Sequence, residues 1–398
     1  MPAISAHHLY KVFGRRGRDG VARLETGADP AELKRAGLTP AVIDASFEVE
    51  QGEIFVVMGL SGSGKSTLIR MVNGLLEPTS GHVELGGENL TAMSPRELRA
   101  TRRERISMVF QHFALLPHRT VAENAAYGLE IKGLAKAERR ERALEALQLC
   151  GLAGWEDHRP GELSGGMRQR VGLARALAAD TDVLLMDEAF SALDPLIRRE
   201  MQDQLIELQH KLGKTILFIT HDLNEAMRLG DRIAMMRNGR IVQVGTAEQI
   251  LTDPANDYVA QFVADVDRSR VLTASSVMEP AVAVLGADQG PRMAHKLMRE
   301  HQQSGLYVTG RDRTLLGYVM EERIADRLDE GSVGSAMEPC TTVIDEDTPV
   351  ADLFLPSAGT RLPLPVVDDD KRLLGVIPRV TLLSALGTPT PEEATHAH

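Results

Sequence analysis

The phosphate-binding pattern at residues 59–66, GLSGSGKS, limits more than any other feature what this chain can fold into. An apolar run precedes it and a helical pattern follows it, and this strand–loop–helix context gives the pattern its physical meaning. Glycines let successive backbone N–H groups turn inward around an anion, and the helix start adds its positive dipole end. Lys65 is the expected contact of the β- and γ-phosphates, and the Ser66 hydroxyl is the expected Mg²⁺ ligand. The chain is therefore predicted to bind a nucleoside triphosphate.

The composition is that of a soluble protein with two or three domains. The 398 residues are 43% hydrophobic and 25% charged. Only 4% are aromatic and the net charge is −11, so nucleic acid is not an expected partner. Cys150 and Cys340 lie far apart without metal-ligand spacing, which indicates reduced thiols in the cytoplasm. Since no apolar run reaches about 18 residues, we expect any membrane role to come through a partner.

The first part of the chain alternates between apolar runs and helical patterns. The runs at 106–110, 183–186 and 215–219 are apolar on both faces, which predicts buried strands of a largely parallel sheet. The section 112–178 is predicted to form a helical subdomain inserted into this α/β core. The polar segment 15–41 is predicted to be an insertion at a surface edge, with a short capped helix that ends at Gly37.

An internal repeat marks the last third of the chain. The tripeptide Met-Glu-Pro at 278–280 recurs at 337–339, and Leu-Leu-Gly at 315–317 recurs at 373–375. We therefore expect an N-terminal domain over 1–265 and a C-terminal module over 266–388, with copies at about 272–328 and 332–388 and a flexible tail over 389–398. Each copy is too small for a generous core, so the two copies are predicted to pack on each other. Residues 271–398 hold 11 basic and 19 acidic side chains, a net charge of −8.

Two carboxylates follow the apolar run 183–186. Asp187, at the strand end, is predicted to hold Mg²⁺ through water. Glu188 points the other way and is the candidate general base for the attacking water. Such assistance is worth about 10²–10⁴ in rate.

The segment LSGGM at 163–167, followed by Arg-Gln-Arg, is the most diagnostic element. With it the chain resembles the ATP-binding cassette (ABC) family, which implies a P-loop NTPase fold with a parallel-sheet core and a helical subdomain. The resemblance assigns Gln111 to the Q-loop, 191–194 to the D-loop and His221 to the switch histidine. It implies Glu188, His221 and Gln111 as catalytic residues and Ser66, Gln111 and Asp187 as the Mg²⁺ set. Phe13 is the implied adenine-stacking aromatic, although Tyr10 lies near it. The residues implied to contact ATP from the same chain are Phe13, Gly59, Ser61, Gly62, Ser63, Gly64, Lys65, Ser66 and Thr67.

The same resemblance implies a composite site. In that family the segment that corresponds to LSGGM at 163–167 is called the signature. The signature of one subunit caps the ATP held by a second subunit, and the two subunits lie head to tail. One signature and one phosphate loop per chain therefore imply a symmetric homodimer with two ATP molecules at its interface. The residues that would act in trans are Ser164, Gly165, Gly166 and Asp194.

The residues around the motifs narrow the resemblance to one group of ABC proteins. The insertion at 15–41, the stretch 55–67, the stretch 184–196 and the C-terminal repeat together are similar to ATP-binding subunits of the glycine betaine/proline importer family. This implies an ATPase on the cytoplasmic face of the membrane that drives a permease and acts indirectly with an extracytoplasmic substrate-binding protein. The apolar segment 113–117 is the expected docking site for the permease. Choline or carnitine import, and a soluble ABC ATPase, are the alternatives.

The repeat resembles a tandem CBS module, a regulatory α+β fold that often binds adenosine nucleotides. The usual ligand pattern places Ser or Thr, and then Asp, after a strand glycine. Here Met320 and Arg323 take these places in the first copy, and Pro378 and Thr381 take them in the second. A structural role, or one that depends on salt, is at least as well supported as nucleotide binding. We expect the acidic module to make a contact that salt screening weakens.

Overall fold

The structure is a computed structural model that describes residues 1–111, 114–264, 266–329 and 331–386. It divides into two compact units, 1–263 and 264–398, two residues before the expected boundary at 265. The expected flexible tail, 389–398, lies outside the described residues. Among the described helices, none combines the length and the apolar character that crossing a bilayer requires.

The first unit is built from strands and helices that alternate along the chain. Its strands are β1 (Ile4–Phe13), β2 (Thr39–Val49), β3 (Ile54–Met58), β4 (Ser80–Leu85), β5 (Glu88–Asn89), β6 (Ile106–Phe110), β7 (Val183–Asp187), β8 (Thr215–Thr220), β9 (Arg232–Arg237) and β10 (Arg240–Gly245). Its helices are α1 (Gly17–Glu25), α2 (Pro30–Arg35), α3 (Lys65–Val72), α4 (Pro95–Arg105), α5 (Val121–Ala125), α6 (Tyr127–Lys132), α7 (Lys136–Leu149), α8 (Gly165–Ala178), α9 (Pro195–Leu212), α10 (Leu223–Leu229), α11 (Ala247–Thr252) and α12 (Asp257–Val263).

A sheet with the order β10-β9-β3-β8-β7-β6 carries the site residues at its edge. Strands β9, β3, β8, β7 and β6 are parallel, and β10 joins antiparallel. Every residue of β3 and β8 is buried, as their apolar sequences predict. The expectation of two buried faces was wrong for the run 106–110, because β6 is the edge strand and Phe110 is 38% exposed.

An antiparallel sheet with the order β2-β1-β4-β5 forms the second layer. Its inward residues join the inward residues of the parallel sheet in one core, which includes Ile4, Phe47 and Val83 as well as Phe55 and Leu217. Phe47 and Phe55 stack with ring centroids 5.3 Å apart. The two sheets are therefore held together by apolar burial, worth about 25 cal/mol per Å².

The segment between β1 and β2 differs from the expectation in two ways. The predicted capped helix is confirmed as α2, where Asp29 accepts a hydrogen bond from the Ala31 amide. However, β2 already begins at Thr39, so the insertion ends before 41, and α1 was not foreseen. The insertion is also more than a surface edge, because it has an apolar cluster of its own. That cluster consists of Tyr10, Val12, Val21, Leu24, Leu33, Leu38 and Ile43.

The predicted helical subdomain, 112–178, contains α5 to α8. Residues 112 and 113 lie outside the described part of the chain, and with them the first residue of the expected permease-docking segment. Leu129, Ala143, Leu147 and Val171 are buried, which explains why this charged region still folds as a unit.

The second unit repeats one small motif twice. Its elements are α13 (Ala274–Val277), β11 (Val284–Gly286), α14 (Pro291–Glu300), β12 (Gly305–Thr309), β13 (Leu315–Met320), α15 (Glu321–Ala325), β14 (Ile344–Asp345), α16 (Val350–Gly359), β15 (Leu364–Val367), β16 (Leu373–Ile377) and α17 (Arg379–Leu386). The sheets β11-β12-β13 and β14-β15-β16 share one topology, in which a parallel pair is followed by an antiparallel pair. The prediction of a repeated α+β unit is confirmed.

The two copies also pack on each other as predicted, through a reciprocal exchange of backbone hydrogen bonds. Glu279 of the first copy bonds with Val376 of the second, and Glu338 of the second bonds with Tyr318 of the first, with both N···O distances 2.9 Å in each pair. A Cβ on Gly317 would lie 2.3 Å from the Glu338 carbonyl oxygen. The repeated Leu-Leu-Gly therefore keeps its glycine, because the other copy passes too close for a side chain.

The departures from the CBS ligand pattern turn the two clefts of this unit into different sites. Arg323 lies 2.7 Å from Glu338 in an ion pair, whereas Thr381 donates a hydrogen bond of 2.5 Å to Glu279. A cavity of about 350 Å³ adjoins the first pair, and the corresponding cavity at the second pair is about 70 Å³. The duplicated fold therefore holds one roomy charged cleft and one small cleft.

Candidate active site

The phosphate loop connects β3 to α3 and depends on glycine at two points. Gly59 and Gly64 have φ of 153° and 108°. A Cβ on Gly59 would lie 2.1 Å from the Met236 carbonyl oxygen, and one on Gly64 would lie 2.3 Å from the Ala41 carbonyl oxygen. Backbone packing on both sides therefore excludes any larger residue and holds the loop in its curved shape.

Lys65 is buried at the start of α3. Its ammonium donates hydrogen bonds to the carbonyl oxygens of Gly59 at 2.7 Å and Leu60 at 3.1 Å. Burial lowers the pKa of Lys65, and the carboxylates of Glu188 and Asp187 oppose that shift. The buried Ser63 hydroxyl has no hydrogen-bond partner among the described residues. A buried ammonium and an unsatisfied hydroxyl in one glycine loop fit the phosphate groups of a nucleotide.

Ser66 and Asp187, two of the three predicted Mg²⁺ ligands, lie next to each other. The amide of the third, Gln111, donates to Glu188 and Ser191 instead, and Mg²⁺ binding stays a prediction. The Ser66 hydroxyl donates to the Asp187 carboxylate at 3.4 Å. Burial, and after it the neighbouring Glu188 carboxylate, raises the pKa of Asp187. One hydroxyl beside a half-buried carboxylate fits Mg²⁺, which prefers oxygen ligands and keeps several waters. When bound with the nucleotide, Mg²⁺ would neutralise charge on the phosphate oxygens.

Asp187→Asn is expected to raise the melting temperature of the nucleotide-free chain by a few degrees at neutral pH. The folded chain holds the Asp187 proton more tightly than the unfolded chain does, so this carboxyl favours folding at low pH. It opposes folding once the pH exceeds its raised pKa, and the amide removes that penalty. Calorimetry measures the melting temperature with and without Mg²⁺-ATP. The rise in melting temperature that Mg²⁺-ATP gives the parent chain should be lost in Asp187→Asn. The exposed Asp253→Asn is the control, and a lower melting temperature for Asp187→Asn would contradict the argument.

Glu188 is the point at which three predicted catalytic residues meet. The Gln111 amide donates to the Glu188 carboxylate at 3.4 Å, and His221 Nδ1 lies 3.3 Å from the same oxygen. Glu188 has a φ of 47°, and its amide donates to the Ile219 carbonyl oxygen of β8 at 3.0 Å. The left-handed backbone turns Glu188 away from the strand direction and toward its two partners. The arrangement suits a carboxylate that accepts a proton from water.

Two positioning residues were not foreseen from the sequence. Arg198 donates to the Leu193 carbonyl oxygen at 3.2 Å and to the Asp222 carboxylate at 3.0 Å, which links the D-loop to the residue after His221. Glu225 is buried and accepts hydrogen bonds from Thr220 and from Gln202, the latter at 3.2 Å, beside the same histidine. Burial raises the pKa of Glu225. No sequence pattern points to either residue, since a charge inside a helix is usually solvated.

The signature lies at the start of α8, where Ser164 is exposed and Gly165 is half-buried. Ser164 caps the helix by accepting a hydrogen bond from the Met167 amide at 3.2 Å. A Cβ on Gly166 would lie 2.5 Å from Ile197 Cγ2, whereas a Cβ on Gly165 would meet no described atom within 4 Å. Asp194 caps α9 and accepts from the Ile197 amide at 3.1 Å. The signature and the D-loop therefore adjoin each other, and their action on a second chain's ATP stays a prediction.

Phe13 ends β1 with 43% of its surface exposed. It lies opposite Thr39, two residues from Ala41, whose carbonyl oxygen approaches Gly64. The Lys11 ammonium lies 5.4 Å from the centre of the Phe13 ring. An exposed ring at the margin of the phosphate loop is consistent with adenine stacking, which stays a prediction.

Comparisons with known proteins identify the family of this chain. Residues 42–191 match the ABC transporter family, and 274–330 and 333–388 match the CBS domain. The chain is 50% identical over 386 residues to the glycine betaine transport ATP-binding protein OpuAA of Bacillus subtilis, covering 96% of this chain and 92% of that one. It is 47% identical over 384 residues to the glycine betaine/proline betaine transport system ATP-binding protein ProV of Escherichia coli, covering 95% and 96%.

A solved structure supports the fold of the first unit. The dimeric ATP-binding cassette MJ0796, in a post-hydrolysis state with ADP and phosphate, has a TM-score of 0.52 and 31% identity. The match covers 61% of this chain and 98% of that one. With near full-length identity of about one half to its relatives, this chain belongs to the ATP-binding proteins of ABC transporters and carries two CBS domains after its cassette.

Proposed function

We propose that this chain is the ATP-hydrolysing subunit of an importer for glycine betaine and related osmoprotectants. The meeting of Gln111 and His221 at Glu188, beside the Ser66–Asp187 pair, carries the ATPase assignment. The substrate is supported by the names of the OpuAA and ProV relatives. Uptake of radiolabelled glycine betaine by vesicles holding the assembled transporter, with choline and carnitine as competitors, tests that substrate.

The reaction depends on positioning and electrostatics. The loop amides and Lys65 place positive charge around the β- and γ-phosphates, where negative charge shifts during transfer. Glu188 accepts the proton of the attacking water while Gln111 and His221 hold its carboxylate in place. The water oxygen bonds to the γ-phosphorus as water gives up its proton. At the same time the bond between the γ-phosphorus and the oxygen that bridges to the β-phosphate breaks, and ADP leaves with that oxygen.

A homodimer completes the proposed site. Each chain supplies one phosphate loop and one signature, and Gly165 leaves the signature surface open for a ligand from outside its own chain. The dimeric cassette with 31% identity supports this assembly. The dimer would lie at the cytoplasmic face of the membrane, held there by its permease.

An apolar groove in the first unit supports permease docking. A cavity of about 430 Å³ lies beside Phe110, Tyr127 and Ile131, and Ala114 of the predicted docking segment lines it. Arg102 and Arg103 border it, so the groove suits a helix with apolar residues and an acidic end.

Ile131→Asp is expected to separate this chain from its permease. Ile131 is 54% exposed, so the change costs little folding stability, but it places a charge in the proposed contact. Co-purification with the permease in detergent and transport should both fall at least about tenfold, as expected for a loss of about 1.4 kcal/mol or more. The ATPase activity of the isolated chain should stay unchanged. Ile131→Val is the control, and full transport by Ile131→Asp would refute this docking site.

We propose that the CBS unit adjusts transport to ionic strength. Residues 271–398 carry a net charge of −8, and contacts between exposed charges weaken as salt rises. If the salt-sensitive contact of the CBS unit restrains the cassette, rising salt activates transport. If the contact assists the cassette, rising salt inhibits transport. Removing 271–398 should flatten the KCl dependence of transport by the assembled complex. An unchanged salt response would overturn the proposal and leave the ATPase assignment intact.

A further inference from the structure

Three metal-binding side chains share one face of the antiparallel sheet, away from the ATP site residues. His7 of β1 lies opposite His82 of β4, and Glu84 lies two residues further along β4. Because side chains alternate along a strand, His82 and Glu84 project from the same face, and the antiparallel register adds His7 to it. The ATPase mechanism uses none of the three.

The distances within the cluster suit one small cation. His82 Nε2 lies 3.4 Å from Glu84 Oε1, and the two imidazole rings stack with centroids 4.7 Å apart and planes 24° apart. One ligand atom from each residue lies within 4.8 Å of the others. A tetrahedral site with bonds of about 2.1 Å separates its ligands by roughly 3.4 Å. The His82–Glu84 distance already has that value, and a His7 ring nitrogen lies within 4.8 Å of the ligand atoms of both residues.

The backbone beneath the cluster is held by the core. The neighbours on the opposite face, Ala6, Val83 and Leu85, are each 1% exposed and belong to the main apolar core. Next to His82, a Cβ on Gly81 would lie 2.2 Å from the His8 carbonyl oxygen, so the two strands approach closely here. The three side chains therefore stand on a rigid platform and are all half-buried. Ligands held this way lose little entropy when they bind.

We propose that His7, His82 and Glu84 form a binding site for a divalent transition metal of the Zn²⁺ class. Two imidazoles and one carboxylate are the ligand set that such ions prefer, whereas Mg²⁺ and Ca²⁺ prefer oxygen ligands alone. Water would supply the fourth ligand. The bound ion would clamp β1 to β4 across the sheet, and binding to the folded chain alone would raise its stability.

The test uses the full chain without an affinity tag, stripped of transition metals. Excess Mg²⁺ is then added so that the site at the phosphate loop does not compete for zinc. Titration with ZnCl2 in a calorimeter should give one site per chain, and zinc should raise the melting temperature. X-ray absorption at the zinc edge should report two imidazole ligands. His82→Ala and the isosteric Glu84→Gln should each weaken Zn²⁺ binding at least tenfold, while the exposed His118→Ala should bind as the parent does.

Two results would overturn the proposal. One is no saturable zinc binding by the parent chain. The other is equal zinc affinity in His82→Ala, Glu84→Gln and the parent, with all three folded by circular dichroism. Because His82 and Glu84 are half-buried and do not belong to the main apolar core, the variants are expected to keep the melting temperature of the metal-free parent.

Discussion

Glu188→Gln is expected to lower kcat for ATP hydrolysis by at least about 10²–10⁴-fold, the worth of a general base. The amide keeps the shape of the carboxylate and can still bond with Gln111 and His221, which lie 3.4 and 3.3 Å away. It cannot accept the proton of water. ATP binding should persist, so the ATP-bound dimer should accumulate, as measured by light scattering after gel filtration.

Glu207→Gln is the matched control, since this exposed acid on α9 has no part in the site. Its turnover and its dimer population should equal those of the parent chain. A Glu188→Gln chain that hydrolyses ATP at the parent rate as a monomer would refute both the base and the composite site.

Gly165→Asp is expected to reduce ATP hydrolysis at least about 100-fold without a change in melting temperature. A Cβ at this position would meet no neighbouring described atom within 4 Å, so the substitution should leave folding unaffected. In the proposed dimer the new carboxylate would face the γ-phosphate of the second chain, where like charges repel and a hydrogen-bond donor surface is blocked. Steady-state hydrolysis and dimer formation with ATP measure the effect.

Gly161→Asp provides the control, because a Cβ there is equally free of contacts and the residue lies just before the signature. It should hydrolyse ATP normally. If Gly165→Asp were as active as Gly161→Asp, the signature would have no role across an interface. A lower melting temperature for Gly165→Asp alone would show that the loss came from folding.

Features built from consecutive residues could be predicted from the sequence. The phosphate loop depends on glycines at fixed spacing, and the buried strands depend on uninterrupted apolar runs, so both follow from local chemistry. Asp187 and Glu188 were found because they end such a run. The resemblance to a family then supplied Gln111 and His221, and the structure brought both to Glu188.

Features that depend on distant contacts could not be predicted in this way. Arg198 lies in the first turn of a charged helix, and only the fold places it between the Leu193 carbonyl and Asp222. Helix α1 has the polar composition of a loop, yet Val21 and Leu24 fold it onto β1 and α2. Tertiary burial outweighed local propensity in that segment. The exposed edge at Phe110 likewise follows from strand order, which no local pattern encodes.

The backbone exchange in the second unit has an evolutionary consequence. Since Glu279 bonds to the later copy and Glu338 to the earlier one, each half supplies a backbone partner to the edge strand of the other half's sheet. Deleting either half would leave the amide and carbonyl of Val376 or of Tyr318 without these partners at an open sheet edge, and open edges are prone to aggregation. Viable gene rearrangements should therefore keep, lose or transplant both halves together. Within that constraint, the side chains of the two clefts were free to diverge, and the ion pair of Arg323 in one and the hydrogen bond of Thr381 in the other record that divergence.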